Sequence, residues 1–325
     1  DFRDPIGFLA RMDREGAAVN VATMVGNGAL RGFVVGNEDR PATDAELARM
    51  KEILREQIAG GCVGLSSGLE YAPSGFADSA ELVELATVLR GTGYPYASHM
   101  RNEDDRLLAA VEEALHVGRL AGVPVQISHL KAQGQRNYWK ADAALRLIEQ
   151  ARADGVDVHF DRYPYTAYST GLSNLFPSSS RSGGNQAFLA RLRDTATAGR
   201  LEAQGRDKVA LLGDWNSVQI TSTNEATSWA RGRRMGDLAQ ERGVEPYALT
   251  LELLEANGGG VGMIGHGMGE ENTARILAHP LGMMCSDGGA YAPYGPLSTA
   301  SPHPRGYGSF PRLLGHYVRD TLALT

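Results

Sequence analysis

Short apolar runs recur along the chain at Ala18–Val25, Cys62–Leu65, Tyr94–Ser98, Val123–Ser128 and Val156–Phe160. Short, largely apolar runs of that length predict buried strands, as in a parallel sheet. A weaker run, Val261–Ile264, and a last one, Gly282–Cys285, extend the series. Between them the apolar residues fall at helical spacing. "TDAELARMKEILREQIAGG" offers Thr43 as N-cap, Glu46 three residues on, and a Gly-Gly stop. "SAELVELATVLRGTG" repeats that design with Ser79 as cap, and "EDDRLLAAVEEALHVGRLAG" and "ADAALRLIEQARADG" predict two more helices. The step from His99 to His129 is 30 residues and from His129 to Asp161 is 32, close to one strand–helix unit each. The alternation predicts an α/β chain built on a parallel sheet or barrel.

The rhythm breaks after "FDRYPYTAYST". Residues from about 171 to 260 mix a loop-like "PSSSRSGG" with helices expected at Asn185–Leu201 and Arg234–Asn257. The reading is a partial catalytic barrel domain over 1–325, with an inserted helical and loop segment at about 171–260. The chain opens on Asp1 with a loop that leads into a helix, the pattern expected of a piece of a longer chain.

Composition changes this picture little. The net charge of −6 gives no footprint for nucleic acid or an anionic membrane. No run of 18 apolar residues predicts a membrane span. Two cysteines, Cys62 and Cys285, make no disulfide framework and fit a reducing, cytoplasmic location.

In a barrel the working residues stand where strands end. Ser66, His99, His129, Asp161 and Asp287 occupy such positions. Singly, each has a structural explanation. Two histidines ending consecutive strands, with Asp287 at a third, suit a zinc site that keeps a position open for water. "GLSSG", Gly64 to Gly68, matches the nucleophile elbow of serine hydrolases, but it runs on into Tyr-Ala-Pro instead of a helix. "GNGALRG" lacks the third glycine of a dinucleotide fingerprint and reads as a turn. His159 is a secondary ligand candidate, while His116, His266 and His279 read as structural or solvent-facing.

Six blocks taken together carry a resemblance: "GLSSGLEYAP", "ASHMRNE", "VQISHLKAQG", "DRYPYTAYSTGL", "CSDGG" and "SPHPRGYGSFPRLLGHYVRD". In this order the chain resembles the N-acyl-D-amino-acid deacylases, or D-aminoacylases, of the amidohydrolase superfamily. The resemblance implies a (β/α)8 TIM-like barrel with one or two Zn2+ ions at its strand ends. By matching motifs it implies that His99 and His129 are metal ligands and that Asp287 is the general base and acid. It also implies that Lys131, Arg305 and Tyr71 hold the substrate's carboxylate or its scissile carbonyl. No H-x-H pair occurs in the chain. The family's H-x-H, its bridging ligand and its small β-sandwich are therefore expected outside these residues.

The implied activity is zinc-dependent hydrolysis of the amide bond of small-molecule N-acyl-D-amino acids, giving a carboxylate and a free D-amino acid. The alternatives are another amidohydrolase reaction, on a cyclic amide or a dipeptide with a D-residue, and an inactive, metal-free piece. No nucleic-acid or membrane partner is expected, and the oligomeric state is not encoded in these patterns.

Overall fold

The computed structural model describes residues 4–298 and 301–324. The chain divides into two compact units. The first holds residues up to 102 with 106–128 and 144–160; the second holds 103–105, 129–143 and the residues from 161 onward.

The first unit is a parallel sheet with helices between its strands. Its strands are β1 (Val25–Gly26), β2 (Leu65–Gly68), β3 (Tyr96–His99), β4 (Val125–Ile127) and β5 (Val158–Arg162), whose last two residues enter the second unit. Val25, Leu65, Tyr96, Val125 and Val158 stand side by side in register. The residues of that row are buried, and along β2, β4 and β5 buried positions alternate with half-buried ones. The helices are α1 (Pro5–Glu15), α2 (Asn27–Val34), α3 (Asp44–Ala59), α4 (Ser79–Ala86), α5 (Leu107–Ala121) and α6 (Lys140–Ala153), which begins in the second unit. Leu54, Leu65, Leu82, Leu85 and Tyr96 are fully buried in this unit's core.

Three expectations need correction here. Of the run Ala18–Val25 only the end joins the sheet, because backbone hydrogen bonds to the next strand begin at Thr23, and Val19 and Val21 stay exposed. The cap of α4 is Asp78, whose side chain accepts from Glu81 N, while Ser79 is the first helical residue. The capping box expected at Thr43 and Glu46 is formed in full. "GNGALRG" is not a turn but the end of β1 and most of α2. That helix turns Asn27 and Arg31 inward, where Arg31 meets Glu81 and Ser74 Oγ donates to Asn27 at 2.6 Å. Both Arg31 and Glu81 are buried, and burial pushes the Glu81 carboxyl up against the pull of Arg31. Glu81→Ala would strand a buried guanidinium, which typically costs about 3–5 kcal/mol. A urea-unfolding midpoint unchanged in that variant would show the pair to be dispensable.

The second unit carries an antiparallel sheet that the runs did not announce. Its strands β6 (Ala167–Gly171), β7 (Val218–Ser222) and β8 (Gly262–His266) lie in the order β6-β8-β7, with a bulge between Ile220 and Ser222. Val261–Ile264, expected in the parallel series, therefore supplies the central strand of an antiparallel sheet. The expected Gly282–Cys285 run forms β9 (Gly282–Met284), which lies beside β5, with Cys285 N donating to Arg162 O.

The two long helices expected between 171 and 260 are each two. The first is α7 (Gly184–Arg193) and α8 (Ala198–Leu212), separated where Asp194 turns extended. The second is α9 (Met235–Arg242) and α10 (Pro246–Ala256), interrupted by left-handed Gly243 and restarted by Pro246 at the first helical position. Two more helices, α11 (Glu270–Leu277) and α12 (Arg305–Arg312), follow. Phe188, Val218, Ile220, Leu253 and Met263 are fully buried in this unit's core. Among the described residues no helix is long and apolar enough to cross a membrane.

Candidate functional site

In the first unit His99 closes β3, and Gly68 stands opposite it at the end of β2. Its Nε2 lies 3.3 Å from Glu70 Oε2, and the Tyr71 ring packs against the imidazole at 4.8 Å between centroids. Tyr71 and His99 are thus brought together by the loop after β2. That loop also disposes of the serine-elbow reading. Ser66 lies inside β2, which runs to Gly68 and is followed by a turn and the short 3-10 stretch Ser74–Phe76 rather than a helix.

In the second unit His129 and Lys131 follow β4 and face Glu103, a residue the motif search passed over. Glu103 Oε1 is 3.0 Å from His129 Nδ1 and 2.5 Å from Lys131 Nζ, and all three side chains are buried. Lys131 Nζ also lies 2.7 Å from His129 Nδ1. His129 has φ +42°, in the left-handed region that a residue with a Cβ rarely adopts. Asp161, the strand-end residue of β5, holds that conformation: its Oδ1 accepts from His129 N at 2.7 Å and its backbone O from Leu130 N at 2.8 Å.

Asp287 is the second such residue, with φ +47°. Leu322 is the third among the described residues and lies away from every candidate in sequence. Unusual backbone of this kind collects at functional positions. Asp287 is exposed and pairs with Arg305, Nη1 to Oδ2 at 2.6 Å. Arg305 opens α12 and is itself buried. His303 anchors that opening: its Nε2 donates to Ala167 O at 2.9 Å and its Nδ1 accepts from Arg305 N at 3.0 Å. Burial and the neighbouring Arg305 push His303 down to about 4, so it is a neutral structural pin. Cys285, two residues before Asp287, is half-buried, and burial with the adjacent Asp161 carboxylate pushes its thiol well up.

Tyr163 joins the two groups. Its fully buried ring lies 5.7 Å from Lys131 Nζ, 4.8 Å from the Arg305 guanidinium and 4.5 Å from that of Arg162. Its hydroxyl is buried, with no hydrogen-bond partner among the described residues. The remaining histidines stand elsewhere. His159 faces Arg152 and Asp157 at a half-exposed position, and His266 bonds Gln219 with its pKa lowered by burial and by Arg234. His116 is exposed.

The donor types suit zinc, which takes imidazole nitrogen and carboxylate oxygen. Glu103 and His129 each offer one such atom, the two within 4.8 Å of each other.

No family model matches the chain. It is 36% identical over 304 residues to a D-aminoacylase of Alcaligenes xylosoxydans xylosoxydans, a match that takes in 94% of this chain and 53% of that protein. It is 32% identical over 324 residues to an N-acyl-D-glutamate deacylase of the same organism, covering 100% of this chain and 57% of the relative. Among solved structures, the N-acyl-D-glutamate deacylase from Bordetella bronchiseptica matches with a TM-score of 0.79 and 31% identity, over 99% of this chain and 58% of that one. That structure holds zinc and a phosphonate inhibitor that mimics the reaction's tetrahedral intermediate. The chain spans just over half the length of the relatives it matches. Along nearly its whole length it is a homologue of the D-aminoacylases and N-acyl-D-amino-acid deacylases, as its six motif blocks implied.

Proposed function

We propose that the protein takes part in zinc-dependent hydrolysis of N-acyl-D-amino acids, on a parallel sheet that is part of a (β/α)8 barrel with 171–260 as an insertion. His99 and His129 are the proposed metal ligands. One observation carries the substrate class. Lys131 and Arg305, the two proposed carboxylate-binding cations, meet the same buried Tyr163 ring, whose hydroxyl has no hydrogen-bond partner among the described residues. Cations and a donor gathered at one buried ring suit an anionic head group.

When bound, zinc would polarise the acyl carbonyl and acidify the attacking water. The chain's residues do the rest. Asp287 takes the proton from the water as the C–O bond forms, then delivers it to the amine nitrogen as the C–N bond breaks. Such assistance is typically worth about 10²–10⁴-fold. Arg305 has five N–H donors in a fixed fork, enough to hold Asp287 and a substrate carboxylate together. Tyr71, whose ring packs against His99, would orient the acyl carbonyl. Chirality follows if the carboxylate anchor, the scissile carbonyl and the side-chain pocket fix three directions at the α-carbon. The free thiols Cys62 and Cys285 accord with a reducing cytoplasm.

The test is hydrolysis of N-acetyl-D- and N-acetyl-L-amino acids before and after chelation. Only the D-series should turn over, and only with metal restored. Equal rates on both series, or full activity in chelator, would overturn the reading. On the same assay Arg305→Ala should weaken acidic-headed substrates by about 2–5 kcal/mol, the range for truncating a buried charge partner. An N-acyl amine without the carboxylate should lose much less; equal losses would show that Arg305 does not read the head group.

A further inference from the structure

His266 ends β8 and lines a cavity of about 540 Å³ in the second unit. Leu212 and Met268 give that cavity apolar wall, and Tyr138 and Thr166 are its hydroxyl-bearing residues. Two glycines let the walls close in. A Cβ at Gly267 would meet Leu212 Cδ2 at 2.6 Å, and one at Gly269 would meet Tyr138 Cε2 at 3.0 Å. The volume falls within the range of small-molecule sites, about 300–1,000 Å³. None of the residues proposed for the reaction lines this cavity.

An imidazole has two nitrogens, and the hydrogen bond made by one decides what the other can do. Gln219 Nε2 donates to Gly232 O at 2.9 Å, which turns the amide oxygen toward His266 Nε2 at 3.1 Å. An amide oxygen only accepts, so Nε2 carries the ring's proton. Burial and the charge of Arg234 push the His266 pKa down, so the ring is uncharged at neutral pH and Nδ1 is a bare lone pair. Among the described residues Nδ1 has no hydrogen-bond partner, since the ring's one hydrogen bond is made by Nε2. We propose that the cavity binds a small neutral molecule through an O–H or N–H that donates to His266 Nδ1, with its apolar body against Leu212 and Met268. Charge decides the class. An anion would face the lone pair, and a cation would enter beside Arg234, whose charge already reaches the ring. Arg136, which also lines the cavity, is paired with Asp105 and leaves no free positive charge to draw an anion in. A neutral alcohol, phenol or amide meets none of these objections, and it satisfies a half-buried acceptor.

The test is titration with phenol and with anisole, which has the same ring and no donor, followed on the ring-nitrogen resonances of protein labelled with 15N-histidine. His266→Phe identifies the His266 signals. Before ligand is added they should show a protonated Nε2 and an unprotonated Nδ1. Phenol should then shift the Nδ1 resonance and bind about 2–10-fold more tightly than anisole, the gain from one neutral hydrogen bond. In His266→Phe that preference should vanish. Gln219→Met leaves the imidazole in place and removes the acceptor that fixes its tautomer, so it should reduce the preference without abolishing it. A protonated Nδ1 in the unsubstituted protein, a His266 signal indifferent to phenol, or equal binding of phenol and anisole would each overturn the proposal. So would a preference that survives in His266→Phe or is undiminished in Gln219→Met. Neither the titration nor the resonances need zinc, so failure of the functional reading would leave this proposal standing, and the reverse.

Discussion

Replacing His129 with alanine is expected to remove tight zinc binding and to lower hydrolysis of an N-acyl-D-amino acid by several orders of magnitude. The fold should survive. Lys131 and Glu103 still neutralise each other at 2.5 Å, and Asp161 still accepts the amide of residue 129, so no buried charge is abandoned. Alanine carries a Cβ as histidine does, so position 129 stays a non-glycine residue at φ +42° and the main loss is the ring. The effect should therefore appear in metal content and turnover, not in the unfolding midpoint. A loss of only about 10–100-fold is what a supporting residue would give. Zinc stoichiometry measured directly on the purified variant decides the matter: if it is unchanged, His129 is not a ligand.

The first unit was legible because its signals are local. A short, largely apolar run reports burial, and Thr43 with Glu46 reports a helix start through two hydrogen bonds three residues apart. Burial does not report a partner strand or its direction. Val261–Ile264 looked like another parallel strand for that reason, although β6 and β7 flank it antiparallel. The site divides along the same line. His99, His129 and Asp287 were visible because each ends a run with a residue that apolar strands seldom carry. Glu103 ends the block "ASHMRNE" without a role assigned to it, because only tertiary structure buries that carboxylate against His129. Tyr163 lies in "DRYPYTAYSTGL", a block that carries the resemblance but assigns this tyrosine no role. Its meaning comes from the three cations around it, drawn from positions 131, 162 and 305. The left-handed backbone at His129 and Asp287 leaves no mark in the sequence, because neither position is glycine.

Asp287→Asn is expected to retain zinc and lose almost all turnover. Asparagine has the size of aspartate and tolerates φ near +47° at least as well, so the backbone at the end of the β9 segment should not move. The amide cannot take a proton from water or return one to the leaving amine. It also gives up the ion pair with Arg305, and that second loss has to be separated from the first. If Asp287 served only to hold Arg305, the Asn variant would resemble Arg305→Ala: a raised KM for acidic-headed substrates, with kcat largely kept. If Asp287 is the base, kcat falls by about 10²–10⁴-fold on every substrate, including an N-acyl amine that Arg305 has no reason to recognise. An Asn variant that keeps more than about a tenth of kcat, a smaller loss than general-base removal gives, would leave Asp287 as a structural partner of Arg305. The proton transfer would then belong to another group.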